Sequence, residues 1–164
     1  MAEAPATPAG ADGTVLPIVL YPDPILSARC EPAAEVSGPE LQRLAADMLA
    51  TMYAAPGRGL AGPQVGVLRR IFVMDAGWKD GAPSPLVLLD PEILWVSDET
   101  ASAEEGCLSI PGRPVMVTRP EAIEIAWFDL DGSHKRRRMS GVEARIAQHE
   151  ADHLDGRLIL DGQD

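Results

Sequence analysis

Two of the chain's three histidines stand four residues apart around a glutamate, in His149-Glu150-Ala151-Asp152-His153. The surrounding segment reads as a helix running to about Leu154, with Ser140-x-x-Glu143 at its start in the spacing of a capping box. At about 100° per residue, Val142, Ile146, His149 and His153 fall in one narrow arc, so both imidazoles are expected to point inward with the apolar residues. Histidines at i and i+4 converge on one metal ion. A glutamate one position after the first reaches the open coordination position and can take a proton there, which is the mechanics of metal-assisted amide hydrolysis. The alternative is a buried helix that happens to contain two histidines.

A catalytic metal of this kind keeps three protein ligands and one open position. Cys107, 42 residues before His149 in Glu105-Gly106-Cys107-Leu108-Ser109, is the best third candidate. Taken alone it would be a small buried hydrophobe on a loop or strand edge; beside a two-histidine site it reads as a ligand. Cys30 has no such context and reads as packing. A third segment, Gly57-Arg58-Gly59-Leu60-Ala61-Gly62-Pro63-Gln64-Val65-Gly66, holds four glycines in ten residues but lacks the lysine of a phosphate loop. It reads either as backbone lying against an extended substrate, with Gln64 offering an amide N–H to a developing oxyanion, or as an ordinary glycine-rich turn.

At 164 residues and 46% hydrophobic composition the chain suffices for one domain with a real core. Residues 1–14, rich in Ala, Pro and Gly, are expected to form a mobile tail ahead of a single domain over 15–164. A net charge of −11 argues against binding DNA, and Lys135-Arg136-Arg137-Arg138 reads as a solvated strand face. Two cysteines, no signal-peptide pattern and no long apolar run point to a soluble cytoplasmic protein that does not enter a membrane.

Along the chain, Tyr21-Pro22-Asp23-Pro24 reads as a turn into a short helix over Ile25 to Arg29. Leu41, Leu44, Ala45, Met48, Leu49 and Met52 then mark an amphipathic helix from Gly38 to Ala55. Strands are expected at Arg70–Met74, Leu86–Leu89, Ile93–Val96, Val115–Thr118 and Ala122–Leu130. Asp131-Gly132 turns the last of these into a hairpin partner over 134–139. The middle of the chain is thus mostly antiparallel sheet.

Together the three motif segments resemble the peptide deformylase family, whose members carry Gly-x-Gly-Leu-Ala-x-x-Gln, Glu-Gly-Cys-Leu-Ser and His-Glu-x-x-His in this order. Leu16 to Leu26 is similar to the family's entry segment. The resemblance implies an α+β fold, its antiparallel sheets packed around the C-terminal metal-binding helix, and hydrolysis of the formyl group from formyl-methionyl nascent polypeptides. It implies Cys107, His149 and His153 as metal ligands and Glu150 as general base and acid. Gln64 and the Leu108 backbone N–H would polarise the formyl oxygen, Gly59 and Leu60 would meet the extended peptide, and Glu105 would steady the loop. The implied cofactor is one divalent ion, ferrous iron by the family's habit, with zinc, nickel or cobalt also compatible. Implied partners are formylmethionyl peptides and the ribosome that presents them. Only 11 residues follow His153, so the ribosome-docking C-terminal helix of many members is expected to be absent.

Gly62 stands where the family usually has alanine, and Arg58 where it commonly has a small aliphatic residue near the methionine pocket. Two rival readings are a zinc endopeptidase, which would take its third ligand from downstream, and a catalytically idle metal-binding homologue. No histidine follows His153 and Glu150 is present, which disfavours both.

Overall fold

Residues 12–161 are described by a computed structural model. Helix α1 spans Gly38–Ala54. Ser37 caps it by accepting from the Glu40 amide, and Pro39 occupies the first turn, where a missing N–H costs nothing. Its apolar stripe, Leu41, Ala45, Met48, Leu49 and Met52, is buried against Leu60, Ile71, Val73 and Leu89. Burial of each large member of this stripe contributes about 1.5–3 kcal/mol.

Strands β1 (Gly59–Ala61), β2 (Ile71–Met74), β3 (Leu86–Val96), β4 (Thr100–Cys107), β5 (Ile110–Pro120), β6 (Ala122–Phe128) and β7 (His134–Ser140) follow. All pair antiparallel, in a five-stranded sheet of order β1-β2-β3-β6-β7 and a separate β4-β5 hairpin. Helix α2, Gly141–Leu154, packs on the large sheet and against β5. The sheet therefore lies between two helices. That is why all four residues of β2 are buried: Ile71 and Val73 face α1, while Phe72 and Met74 join Ile123, Ile125, Met139, Ala144, Ala147 and Leu154 on the α2 side. Cys30 packs into this second core, its amide donating to the Leu154 carbonyl at 2.9 Å.

Several expected elements change shape. The helix over 25–29 is one 3-10 turn, Pro24–Ser27, capped by Asp23. The two strands expected at 86–89 and 93–96 are a single strand, β3, with an irregularity between Leu89 and Glu92. Asp90 has φ of 47° there, its carboxylate accepts from the Ala33 and Ala34 amides at 2.7 and 3.1 Å, and Pro91 has no N–H to give the ladder. The strand read at 115–118 extends over all of β5, and β4 went unread. The capping box does not form. Ser140 is the last residue of β7 and makes no side-chain cap; Gly141, at φ 58°, turns the chain into α2, and Glu143 pairs with Arg137.

The basic run on β7 is exposed and ion-paired, to Asp129, Glu124 and Glu143. Of the tail expected over residues 1–14, residues 1–11 lie outside the described residues; the Thr14 amide donates to Asp47 Oδ1 at 2.7 Å. Among the described residues, no helix is long and apolar enough to cross a membrane.

Candidate active site

Helix α2 presents two faces with different jobs. Ala144, Ala147 and Leu154 meet the core, while Val142, Arg145, Ile146, His149 and Glu150 line a cleft of about 650 Å³. The expectation that Val142 points into the core is corrected: it is 53% exposed at the cleft mouth. His149 lies in this cleft between β4 and the segment from Pro56 to Gly59, and His153, one turn further along α2, is buried as well.

Cys107 ends β4, and its Sγ lies 3.5 Å from His153 Nε2, which lies 3.3 Å from His149 Nε2. The three donor atoms are all within 4.8 Å of one another. A tetrahedral ion with bonds of about 2.0–2.1 Å to nitrogen and 2.3 Å to sulfur sets donor separations of roughly 3.3–3.6 Å, so the site fits a metal of that geometry. Its electrostatics fit too. Burial works against charge on His149, yet the field of Glu150 and the bonds to Cys107 and Glu105 outweigh it and raise the pKa; burial and then His149 depress that of His153.

Glu150 Oε2 lies 3.9 Å from His149 Nε2, and Oε1 is buried without a hydrogen-bond partner. Burial, partly offset by His149 and Arg119, pushes its carboxyl up to about 7, where accepting and returning a proton near neutrality are both easy. Glu105 is the opposite case. Burial acts to raise it, but hydrogen bonds from His149, Arg119 and Arg145 hold it down to about 2. His149 Nδ1 lies 3.0 Å from Glu105 Oε1, which fixes that nitrogen as the donor and leaves Nε2 free to face the site.

Gln64 is 1% exposed; its Oε1 accepts from the Ala61 amide at 3.0 Å, and its Nε2 donates to Ser109 Oγ at 3.1 Å and toward Cys107 Sγ at 3.6 Å. Leu108 lies on the cleft wall against Gly57, where a Cβ would stand 2.7 Å from Leu108 Cδ1. Gly59 is in the cleft as well, but Leu60 is fully buried beneath α1, so only its backbone is near substrate-binding space.

A profile of the polypeptide deformylase family matches residues 15–164. The chain belongs to the peptide deformylase family. It is 43% identical over 148 residues to the peptide deformylase of Agrobacterium fabrum, covering 90% of this chain and 86% of that protein. Identity to the Alkalilimnicola ehrlichii peptide deformylase is 47% over 147 residues, covering 90% and 81%. Among solved structures, the peptide deformylase of Thermotoga maritima superposes with TM-score 0.83 at 38% identity, over 90% of this chain and 96% of that one. That of Ehrlichia chaffeensis in complex with actinonin gives 0.86 at 36%, over 92% and 90%. Membership makes the chain a metal-dependent hydrolase that removes formyl groups from peptide N-termini, with a candidate metal site at Cys107, His149 and His153.

At Gly62 the local packing leaves no room for a side chain. A Cβ there would stand 2.6 Å from the Val67 carbonyl oxygen and 2.9 Å from that of Arg69, and backbone cannot step aside cheaply. Sequence reasoning missed the ion-pair network behind the site. Arg119 binds Glu105 through Nε and Nη2 at 2.6 and 2.9 Å and reaches Asp152 at 2.9 Å, while Arg145 binds Glu105 at 2.6 Å and the Ala101 and Val117 carbonyls. The available signal was register: the alternation Val115, Val117 carries Arg119 onto the buried face of β5.

Proposed function

We propose that this site removes the formyl group from formyl-methionyl nascent chains with Glu150 as its proton carrier. The reading is carried by one observation, the convergence of Cys107 Sγ, His149 Nε2 and His153 Nε2 beside a buried carboxylate with an unpartnered oxygen, at the floor of an open cleft. Cys107, His149 and His153 would hold one divalent cation, ferrous iron in our reading, which when bound acidifies water and polarises a carbonyl. Glu150 takes the proton from the attacking water as its oxygen joins the formyl carbon. It then returns that proton to the amine nitrogen as the C–N bond breaks, releasing formate and a free N-terminus. Gln64 keeps one N–H on Ser109; the other, only loosely engaged by Cys107, donates to the formyl oxygen with the Leu108 backbone N–H. Gly59 lets its own strand lie against Glu150 beside the peptide, and β4 offers a strand edge opposite.

The decisive experiment gives anaerobically prepared, iron-loaded protein formyl-Met-Ala-Ser and acetyl-Met-Ala-Ser. Turnover of the formyl peptide alone is expected. Comparable hydrolysis of both would make it a general amidase, and metal-loaded protein inert toward both would make it an idle homologue.

A further inference from the structure

The cleft wall from Gly57 to Gly59 is fixed on every side except one. The Gly57 carbonyl accepts from Trp78 Nε1 at 2.9 Å and the Arg58 carbonyl accepts from the Asp75 amide at 2.9 Å. Gly57 abuts Leu108, and a Cβ on Gly59 would stand 2.5 Å from Glu150 Oε2. What remains variable is the Arg58 side chain, exposed and lining the cleft, with no ion-pair partner among the described residues.

Two further unpaired cations share the cleft. Lys79 Nζ lies 5.8 Å over the ring of Trp78, the residue that braces Gly57, so it stands on the same wall; Arg113 lies on the β5 side. The acidic residues do not cancel them. Glu105 is spent on Arg119, Arg145 and His149. Glu104 and Glu121 also line the cleft, but by strand alternation the Glu104 side chain projects to the face of the hairpin opposite Glu105, and Glu121 sits at the far end, beside the start of α2. In a chain of net charge −11, Arg58, Lys79 and Arg113, none of them ion-paired among the described residues, place positive charge along the cleft.

We infer that Arg58, supported by Lys79 and Arg113, selects formyl-methionyl peptides that carry a carboxylate on the residue after the methionine. The inference rests on the deformylase reading of the same cleft. Arg58 is one residue from Gly59, which lies against Glu150, and an extended peptide advances about 3.3–3.6 Å per residue, so a peptide laid along this wall carries its first residues past Arg58.

The test uses C-terminally amidated peptides, which carry no terminal carboxylate. kcat/KM is measured for formyl-Met-Asp-Ser-amide against formyl-Met-Asn-Ser-amide in wild type and Arg58→Gln. A preference for Asp of about three- to fivefold is expected, the size one exposed ion pair supports; it should shrink in high salt and vanish in Arg58→Gln. A ratio at or below one, or a preference that survives Arg58→Gln, overturns the proposal. Binding of the unformylated peptides Met-Asp-Ser-amide and Met-Asn-Ser-amide to zinc-loaded protein is measured alongside by calorimetry. Should no formyl peptide be hydrolysed, a binding preference for Asp that Arg58→Gln abolishes sustains the cation-lined subsite while the deformylase reading fails, and equal binding sinks the subsite.

Discussion

Gly59 and Glu150 meet at a distance that admits no side chain: a Cβ on Gly59 would stand 2.5 Å from Glu150 Oε2 and 2.9 Å from its Cδ. The glycine thus sets where the carboxylate rests. In Gly59→Ala the end of the Glu150 side chain has to swing away, while the backbone of β1, paired with β2, can stay in register. Displacing a reacting group by about 1 Å costs on the order of 10²-fold. Turnover should fall by that order with metal content and Tm close to wild type. Unchanged kcat would show that the carboxylate position is not critical.

Removing the carboxylate itself separates proton transfer from metal binding. Glu150 is not among the three converging donors, and its Oε1 has no partner to lose. Glu150→Gln and Glu150→Ala should therefore keep the metal and the fold and lower kcat far more than they raise KM, the pattern of an interaction made mainly in the transition state. Substantial turnover by both variants with metal bound would sink the role assigned to this residue.

For Gln64 the expectation is a loss of about 10²–10³ in turnover in Gln64→Leu, the usual worth of one oxyanion donor. Here the structure adds a second consequence. The amide also ties the Ala61 amide to Ser109, so the variant leaves a buried N–H unsatisfied and should melt earlier. A Tm loss with near wild-type kcat would assign Gln64 to loop architecture alone.

What could be read from the sequence divides along physical lines. Helix α1 and the β6-β7 hairpin announced themselves through periodicity and an Asp-Gly turn, because each buries one apolar face. β4 was invisible for the same reason in reverse: the face it turns inward is Ala101, Ala103, Glu105 and Cys107, too small or too polar to register as a strand. Pro91 split β3 in two because local chemistry at a bulge looks like a strand end. At the site, His149 and His153 converge because their spacing along α2 enforces it, whereas Cys107 is brought to them by β4. Arg119, Arg145 and Asp152 escaped notice because an ion-pair network joins distant segments by charge, and charge pairing leaves no periodicity.

Cys30 offers a pH-dependent test away from the site. Burial, partly offset by Arg70, pushes its thiol from 9.0 up to about 11. The folded state therefore favours the neutral thiol. Its stabilising contribution is fully present below pH 9 and is lost as pH rises through about 11, an effect of roughly 1–2 kcal/mol. Between pH 8 and 11 the Tm of wild type should fall more steeply than that of Cys30→Ala, and iodoacetamide at pH 8 should label Cys30 only after unfolding. Parallel Tm profiles would show that burial does not perturb this thiol.

Glu105 is where stability and metal binding are joined. One carboxylate, 6% exposed, receives Arg119 and Arg145 and orients His149 through Nδ1. Glu105→Gln keeps the shape but withdraws the charge, leaving the largely buried Arg145 without a counter-ion and Arg119 with Asp152 alone, and breaking a buried pair typically costs about 3–5 kcal/mol. Without the carboxylate, His149 also loses the partner that fixes its tautomer, and such outer contacts are worth about 10–100-fold in metal affinity. Lower Tm and a weaker metal site should therefore appear together. Asp152→Asn separates the two effects, since among the described residues the Asp152 side chain binds Arg119 alone and is 36% exposed. It should shift Tm by about 1 kcal/mol equivalent or less and leave metal affinity, measured by chelator competition, nearly unchanged. Wild-type metal affinity in Glu105→Gln would mean that the imidazole is held by packing alone and that the network serves only the fold.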